Sequence, residues 1–182
     1  MVFGRVWHLF GSLGWSRQHA PGRHWAINSL AVLAAVRALS ADLGLAALSM
    51  AGVSPTAGRG QRHRILYDDG NFVVIDESYN ASPVAVAAAI ETLGMVAVDK
   101  NGRRSAVLGD MLEMGRESPN FHADLAPILE SARADLVFAC GPWMANLFEA
   151  LPGHMRGCYE ATSADLLPRV ISAVLAGDTV LV

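Results

Sequence analysis

Three stretches carry side chains whose types and spacing could do chemistry. In VVIDESYNASP, residues 73–83, Asp76, Glu77, Ser78, Tyr79 and Asn80 follow one another directly after an apolar run. A buried strand normally stops at its last apolar residue, so this polar run is either a solvated turn or a site. In GDMLEMG, residues 109–115, Asp110 and Glu113 flank Met111 after a second apolar run. Paired carboxylates there can bind a substrate ammonium or a metal ion, or can simply cap a turn, and the turn is the safer reading of these residues alone. The third stretch, GRGQRHR, residues 58–64, is the densest cationic cluster, with Arg59, Arg62, His63 and Arg64. An arginine fork matches phosphate oxygens. A solvated strand edge is the competing reading, and composition alone favours it.

Other signals exclude whole classes of chemistry. No G-x-x-x-x-G-K-[ST] segment is present, no G-x-G-x-x-G follows a strand, and no G-x-S-x-G elbow occurs. His122, four residues after Ser118 in a helical stretch, reads as a structural histidine. Cys140 and Cys158 form no metal pattern and read as reduced thiols of a cytoplasmic protein. The net charge of −3 argues against nucleic-acid binding, which needs a basic face. With 52% hydrophobic residues, a sizeable core is expected and disorder is not. The longest apolar run, residues 25–39, falls short of the ~20 residues a spanning helix needs, so no membrane is expected. Residues 1–20 resemble a signal peptide only superficially, because His8, Gly11 and Gly14 break the apolar part.

These residues need elements to position them. Residues 22–52 read as an αα-hairpin rich in alanine and leucine, with Ser40 and Asp42 offering a cap between its helices. It is apolar on most faces and so expects a partner surface. SPTAGRGQ then breaks the helical pattern. From Arg62 onward two strands around Asp69-Gly70 suggest a hairpin, followed by a helix, a strand, a helix, a strand, two helices and a last strand, DTVLV. Short apolar strands alternating with helices imply right-handed crossovers and a mostly parallel sheet with helices on both faces. Ligands of such sheets sit outside the carboxyl ends of the strands. The two polar loops, residues 76–81 and 109–117, each lead into a Ser-Pro helix start and should share one edge. That placement favours a site over a turn.

Taken together, GRHWAINSLAVLAAVRAL, AGRGQRHRI, VVIDESYNASP, RSAVLGDMLEMGRES with its later histidine, and DLVFACG resemble the Mur ligases, in order from about Pro21 to Val182. DESYNA followed by GDMLEMG is specific for the branch that adds D-alanyl-D-alanine. The resemblance implies an αα-hairpin from the end of a central ATPase domain (residues 21–60) and a Rossmann-like C-terminal domain (residues 61–182), with residues 1–20 unassigned. It implies ATP and Mg2+ as cofactors, and UDP-N-acetylmuramoyl-tripeptide and D-alanyl-D-alanine as substrates. The family's phosphate-binding loop, magnesium ligands and carbamylated lysine match nothing here, so the chain is expected to be a fragment, truncated at both ends, without catalytic residues, metal ligands or turnover of its own. Its natural docking surface would be the missing N-terminal domains. By resemblance, Asn28 contacts adenine, Arg59 reaches the ATP phosphates and Glu77 holds the ribose hydroxyls. Ser78, Tyr79, Asn80, Asp110, Met111 and Glu113 match the two substrate-facing loops. A non-catalytic nucleotide-binding module, half of a split enzyme, or an interaction domain docking through its hairpin are the alternatives.

Overall fold

The computed structural model describes residues 23–182 except Ser54, Asp68, Asp69 and Asp99. The segment 1–20 and the tip of the expected hairpin turn lie outside the described residues. The chain divides into two compact units, meeting between Thr56 and Ala57.

The first unit contains helices α1 (Arg23–Ala38) and α2 (Leu43–Met50). Asp42 caps α2, its carboxylate accepting from the amides of Gly44 and Leu45 at 2.7 and 3.0 Å. Ser40 instead adopts a left-handed turn conformation between the helices. Ile27, Val32, Leu39, Leu45 and Leu48 are exposed, as an apolar hairpin requires.

The second unit holds one six-stranded sheet in the order β1-β2-β6-β3-β4-β5. Its strands are β1 (Gln61–Tyr67), β2 (Gly70–Asp76), β3 (Arg104–Gly109), β4 (Leu136–Cys140), β5 (Arg156–Glu160) and β6 (Thr179–Leu181). β1 pairs with β2 antiparallel, and every other neighbour is parallel. The helices are α3 (Pro83–Met95), α4 (Ser118–Ala123), α5 (Leu125–Ser131), α6 (Met144–Ala150) and α7 (Ser163–Ala173). The path β2→β3→β4→β5 advances in one direction across the sheet, so right-handed crossovers place α3 to α6 on one face. The return from β5 to β6 runs the other way, which places α7 on the opposite face. Accordingly α7 packs on β4 and β5, whereas α3 packs on β3, β6 and α5.

Side-chain alternation along the strands feeds both faces. Val137 and Ala139 of β4 and Leu181 of β6 join Ile90, Leu93, Leu129, Met144 and Leu147 in the main core. Phe138 and Val180 point the other way and are buried, as are Leu166 and Val174 at α7. At the amino ends of the strands, the buried Asp178 receives the main-chain amide of Arg103 at 2.9 Å and its guanidinium at 2.6 Å, and so ties β6 to β3.

The expected mostly parallel sheet with helices on both faces is present. Three details differ from the sequence reading. β5 stands where the sequence pattern passes directly from one helix to the next, because RGCYE has only a short apolar centre and lies at the sheet edge. The helix expected from Ser118 through Ala132 is split at Asp124, since Pro127 has no N–H for the Ala123 carbonyl. Ser118 does not cap; its hydroxyl donates to the Gly115 carbonyl at 3.0 Å. Among the described residues no helix is long and apolar enough to cross a membrane.

Candidate functional site

Strands β2 and β3 flank β6 on either side, so their carboxyl ends, and the loops that leave them, lie along one edge of the sheet. After β2, the chain turns at once. The Asp76 carboxylate accepts from the Ser78 hydroxyl at 2.6 Å and the Ser78 amide at 3.2 Å, a side-chain-mimicked turn. Its other oxygen accepts the Gly58 amide at 3.0 Å. The main chain repeats the link, with Gly60 N–H donating to the Asp76 carbonyl at 2.8 Å and Tyr79 N–H to the Gly58 carbonyl at 3.1 Å. Residues 58–60 are thereby clasped onto the loop after β2.

The sequence Gly-Arg-Gly suits this clasp. Gly58 and Gly60 both have positive φ, at 71° and 85°. A Cβ at Gly58 would stand 2.8 Å from the Tyr79 Cβ and 2.9 Å from its amide nitrogen. A Cβ at Gly60 would stand 3.1 Å from a Glu77 carboxylate oxygen. Between these two close approaches, the Arg59 guanidinium lies 4.2 Å over the Tyr79 ring. Such exposed stacking is worth about 0.5–1 kcal/mol.

The two acids of the loop differ electrostatically. Hydrogen bonding to the Ser78 hydroxyl holds the Asp76 carboxyl below its usual range. Burial, then the charge of Asp76, pushes the half-buried Glu77 carboxyl up, while the nearby Arg59 guanidinium pulls the other way. The Glu77 amide is fixed by the Val182 carbonyl at 2.8 Å. Ser78, Tyr79 and Asn80 are all exposed. The following helix begins as expected: Ser82 accepts the Ala85 amide and Pro83 takes the first turn.

The loop after β3 is pinned at its base. The Asp110 carboxylate accepts the Met144 amide at 2.9 Å and the Trp143 amide at 3.1 Å, so it caps α6 from outside that helix. This fits the start of α6 at Met144. Met111 is fully buried in the main core, and its amide donates to His122 Nε2 at 2.9 Å. His122 Nδ1 lies 2.6 Å from the Ser118 carbonyl. An amide can only donate and a carbonyl only accept, so the imidazole is held as the neutral Nδ1–H tautomer. Glu113 is exposed and adopts φ 64°, a conformation uncommon for a residue with a side chain. Among the described residues no group of three or more His, Cys, Asp or Glu is placed to hold a metal ion.

The geometry can thus hold an anion near Arg59 and accept hydroxyl protons at Glu77. Comparison with known proteins decides the family. The family model described as the glutamate ligase domain of the Mur ligases matches residues 58–182. The chain belongs to the Mur ligases. The UDP-N-acetylmuramoyl-tripeptide–D-alanyl-D-alanine ligase of Bacillus subtilis (strain 168) is 30% identical over 164 residues, covering 88% of this Mur ligase chain and 35% of the relative. That of Rickettsia prowazekii (strain Madrid E) is 28% identical over 160 residues, covering 88% and 34%. The fold is similar to the crystal structure of the MurF ligase of Thermotoga maritima in complex with ADP, with a TM-score of 0.69, 25% identity and coverage of 89% of this chain and 35% of that one. MurF from Acinetobacter baumannii gives a TM-score of 0.72 at 25% identity, covering 88% and 34%. The chain therefore spans about a third of the length of the relatives it matches.

In this Mur ligase chain, Arg59, Glu77, Ser78, Tyr79 and Asn80 gather at the end of β2, and Asp110 and Glu113 lie in the loop after β3. Asn28 is exposed on α1, in the other unit. Met111 packs inward. Sequence reasoning passed over Asp76 as a tie between segments, although an aspartate followed two residues later by serine is a turn signal. It also left His122 without a partner, because Met111 and Ser118 become its neighbours only when the loop closes.

Proposed function

We propose that these residues are the nucleotide-facing C-terminal part of an ATP-dependent ligase that joins D-alanyl-D-alanine to UDP-N-acetylmuramoyl-tripeptide. The observation that carries this reading is the clasp of residues 58–60 onto the loop after β2, which sets the Arg59 guanidinium over the Tyr79 ring in the same loop as the Glu77 carboxylate. Arg59 offers charge-assisted hydrogen bonds to phosphate oxygens. Glu77 offers an acceptor for ribose hydroxyls, kept from full solvation by its surroundings. ATP, when bound, supplies the phosphoryl group that activates the tripeptide carboxylate. The exposed Ser78, Tyr79, Asn80 and Glu113 are placed to meet the substrates, and Asp110 and Met111 serve by fixing the second loop. Asn28 is the proposed adenine contact, through its side-chain amide.

Phosphoryl transfer depends on positioning and on neutralising charge around the transferring group. The 182 residues contain no G-x-x-x-x-G-K-[ST] segment. In this reading the lysine of such a loop is supplied by residues other than these, as it would be in a split enzyme. Purified chain with ATP, magnesium, UDP-N-acetylmuramoyl-tripeptide and D-alanyl-D-alanine should release no ADP above background. Adding separately produced N-terminal and central domains of a relative should restore release. Calorimetry should find weak Mg-ADP binding that falls with Glu77→Ala and with Arg59→Ala; tight binding untouched by both changes would place the nucleotide elsewhere.

A further inference from the structure

Asp76 has no part in the ligand contacts proposed above, yet it is the group on which the site's two segments converge. One carboxylate oxygen holds the loop after β2 through the amide and hydroxyl of Ser78, and the other holds the incoming segment through the Gly58 amide. The backbone links on either side, Gly60 N–H to Asp76 O and Tyr79 N–H to Gly58 O, involve the same residue or its immediate neighbours. Arg59 sits inside that ring of contacts. Its side chain is exposed, long and flexible, and lies against the Tyr79 ring at 4.2 Å. An exposed arginine loses considerable rotamer freedom on adopting one pose, and a stacking contact of this strength barely offsets that cost. The backbone from which it springs must therefore be fixed by other means. Asp76 supplies them from across a sequence separation of 18 residues.

We propose that Asp76 is a positioning residue: it locks residues 58–60 against the loop after β2, and so presents the Arg59 guanidinium on the Tyr79 face. A single carboxylate suits this task because two separate oxygens serve two separate segments at once. An asparagine offers one acceptor oxygen and can hold only one of them. His63 Nε2 lies 4.0 Å from Asp76 Oδ2, which also accepts the Gly58 amide. The role rests on the proposed nucleotide reading for its purpose, but not for its geometry.

Two readouts on the full 182-residue chain test it. The first needs no ligand. The side-chain protons of Arg59 lie over an aromatic face, so they should resonate upfield in the wild type and return to ordinary positions in Tyr79→Leu. Asp76→Ala should abolish the upfield shift while the amides of β3, β4 and β6 stay unmoved, and Asp76→Asn should reduce it. Gly58→Ala, which breaks the same clasp sterically and leaves the carboxylate in place, should reproduce the loss. An upfield shift that survives in Asp76→Ala overturns the proposal, even where that variant melts earlier, because such a result assigns Asp76 to stability alone. The second readout is a double-mutant cycle with Mg-ADP. Asp76→Ala and Arg59→Ala should each weaken binding about tenfold, as loss of one charge-assisted contact would, and the double variant should be no weaker than either. Losses that multiply overturn the proposal. If Arg59→Ala leaves Mg-ADP binding unchanged while Asp76→Ala still removes the upfield shift, the positioning of Arg59 stands and the nucleotide reading fails.

Discussion

Replacing His122 by alanine would remove a side chain that bridges both ends of the loop after β3. The imidazole is fully buried, accepts the Met111 amide at 2.9 Å and reaches the Ser118 carbonyl at 2.6 Å. Alanine leaves a buried N–H without an acceptor, which costs about 1–3 kcal/mol, and leaves part of the ring volume empty at a further cost of about 2 kcal/mol. Together these give about 3–5 kcal/mol, a large share of the roughly 5–15 kcal/mol that stabilises a domain. The melting temperature of the second unit should fall by on the order of 10–20 °C. Two polar substitutions separate the hydrogen bonds from the volume. Glutamine can place an oxygen where Nε2 stands, keeping the Met111 bond and losing the Ser118 one. Asparagine does the reverse. A buried amide left alone costs more than a carbonyl, which has a second lone pair to use, so His122→Gln should be the more stable of the two. Calorimetry gives the stabilities, and hydrogen exchange at the Met111 amide gives the mechanism. Protection should persist in the glutamine variant and collapse in the asparagine and alanine variants. Melting of His122→Ala within about 2 °C of the wild type, or an undiminished Met111 protection factor in that variant, would refute the reasoning.

Other outcomes follow from the same geometry. Asp178→Ala should destabilise the second unit by about 3–5 kcal/mol, because it leaves two main-chain amides without their acceptor and the Arg103 guanidinium with only the Ala173 carbonyl; thermal unfolding measures it, and a shift of under about 1 kcal/mol would mean that water replaces the carboxylate. Asp110→Ala should cost about 1–2 kcal/mol by uncapping α6, read as lost amide protection at Trp143 and Met144. The two neighbouring acids should show opposite pH signatures. Glu77 is raised in the folded protein, so the folded state binds its proton more tightly, and stability falls as pH climbs from the ordinary carboxyl range through the raised value. Glu77→Gln should remove that fall and melt higher than the wild type at neutral pH. Asp76 is lowered, so its contribution is present above the ordinary carboxyl value and lost as pH drops through the lowered one; Asp76→Asn should flatten that acid limb in a pH series of melts.

Much of this protein is legible in local pattern. The alternation of apolar strands with helices, the hairpin around Gly70, Ser82 before Pro83 and Asp42 before α2 each follow from properties of a few adjacent residues, and all appear in the structure. The polar run after β2 could be assigned to the carboxyl edge of the sheet for the same reason, since a strand followed by a capped helix start fixes which end it occupies. β5 escaped because its residues do not differ from a loop until a neighbour pairs with them. The split between α4 and α5 was signalled by Pro127, but the helical periodicity on both sides concealed it.

The sequence by itself determined the classes of side chain available, the absence of a phosphate-binding loop from these residues, and the order of the elements. Tertiary structure decided which contacts the polar loops make within the protein. Asp110, open between a cap and a ligand group in the sequence, accepts the amides at the start of α6. Met111, in the loop that the resemblance turns toward substrate, packs in the core. Asp76 looked like one polar residue among five and joins two segments 18 residues apart. The physical reason is common to all three. A hydrogen bond or a buried contact between residues distant in the chain depends on where the sheet order and the crossovers bring them, and that proximity has no signature in the spacing of the residues themselves.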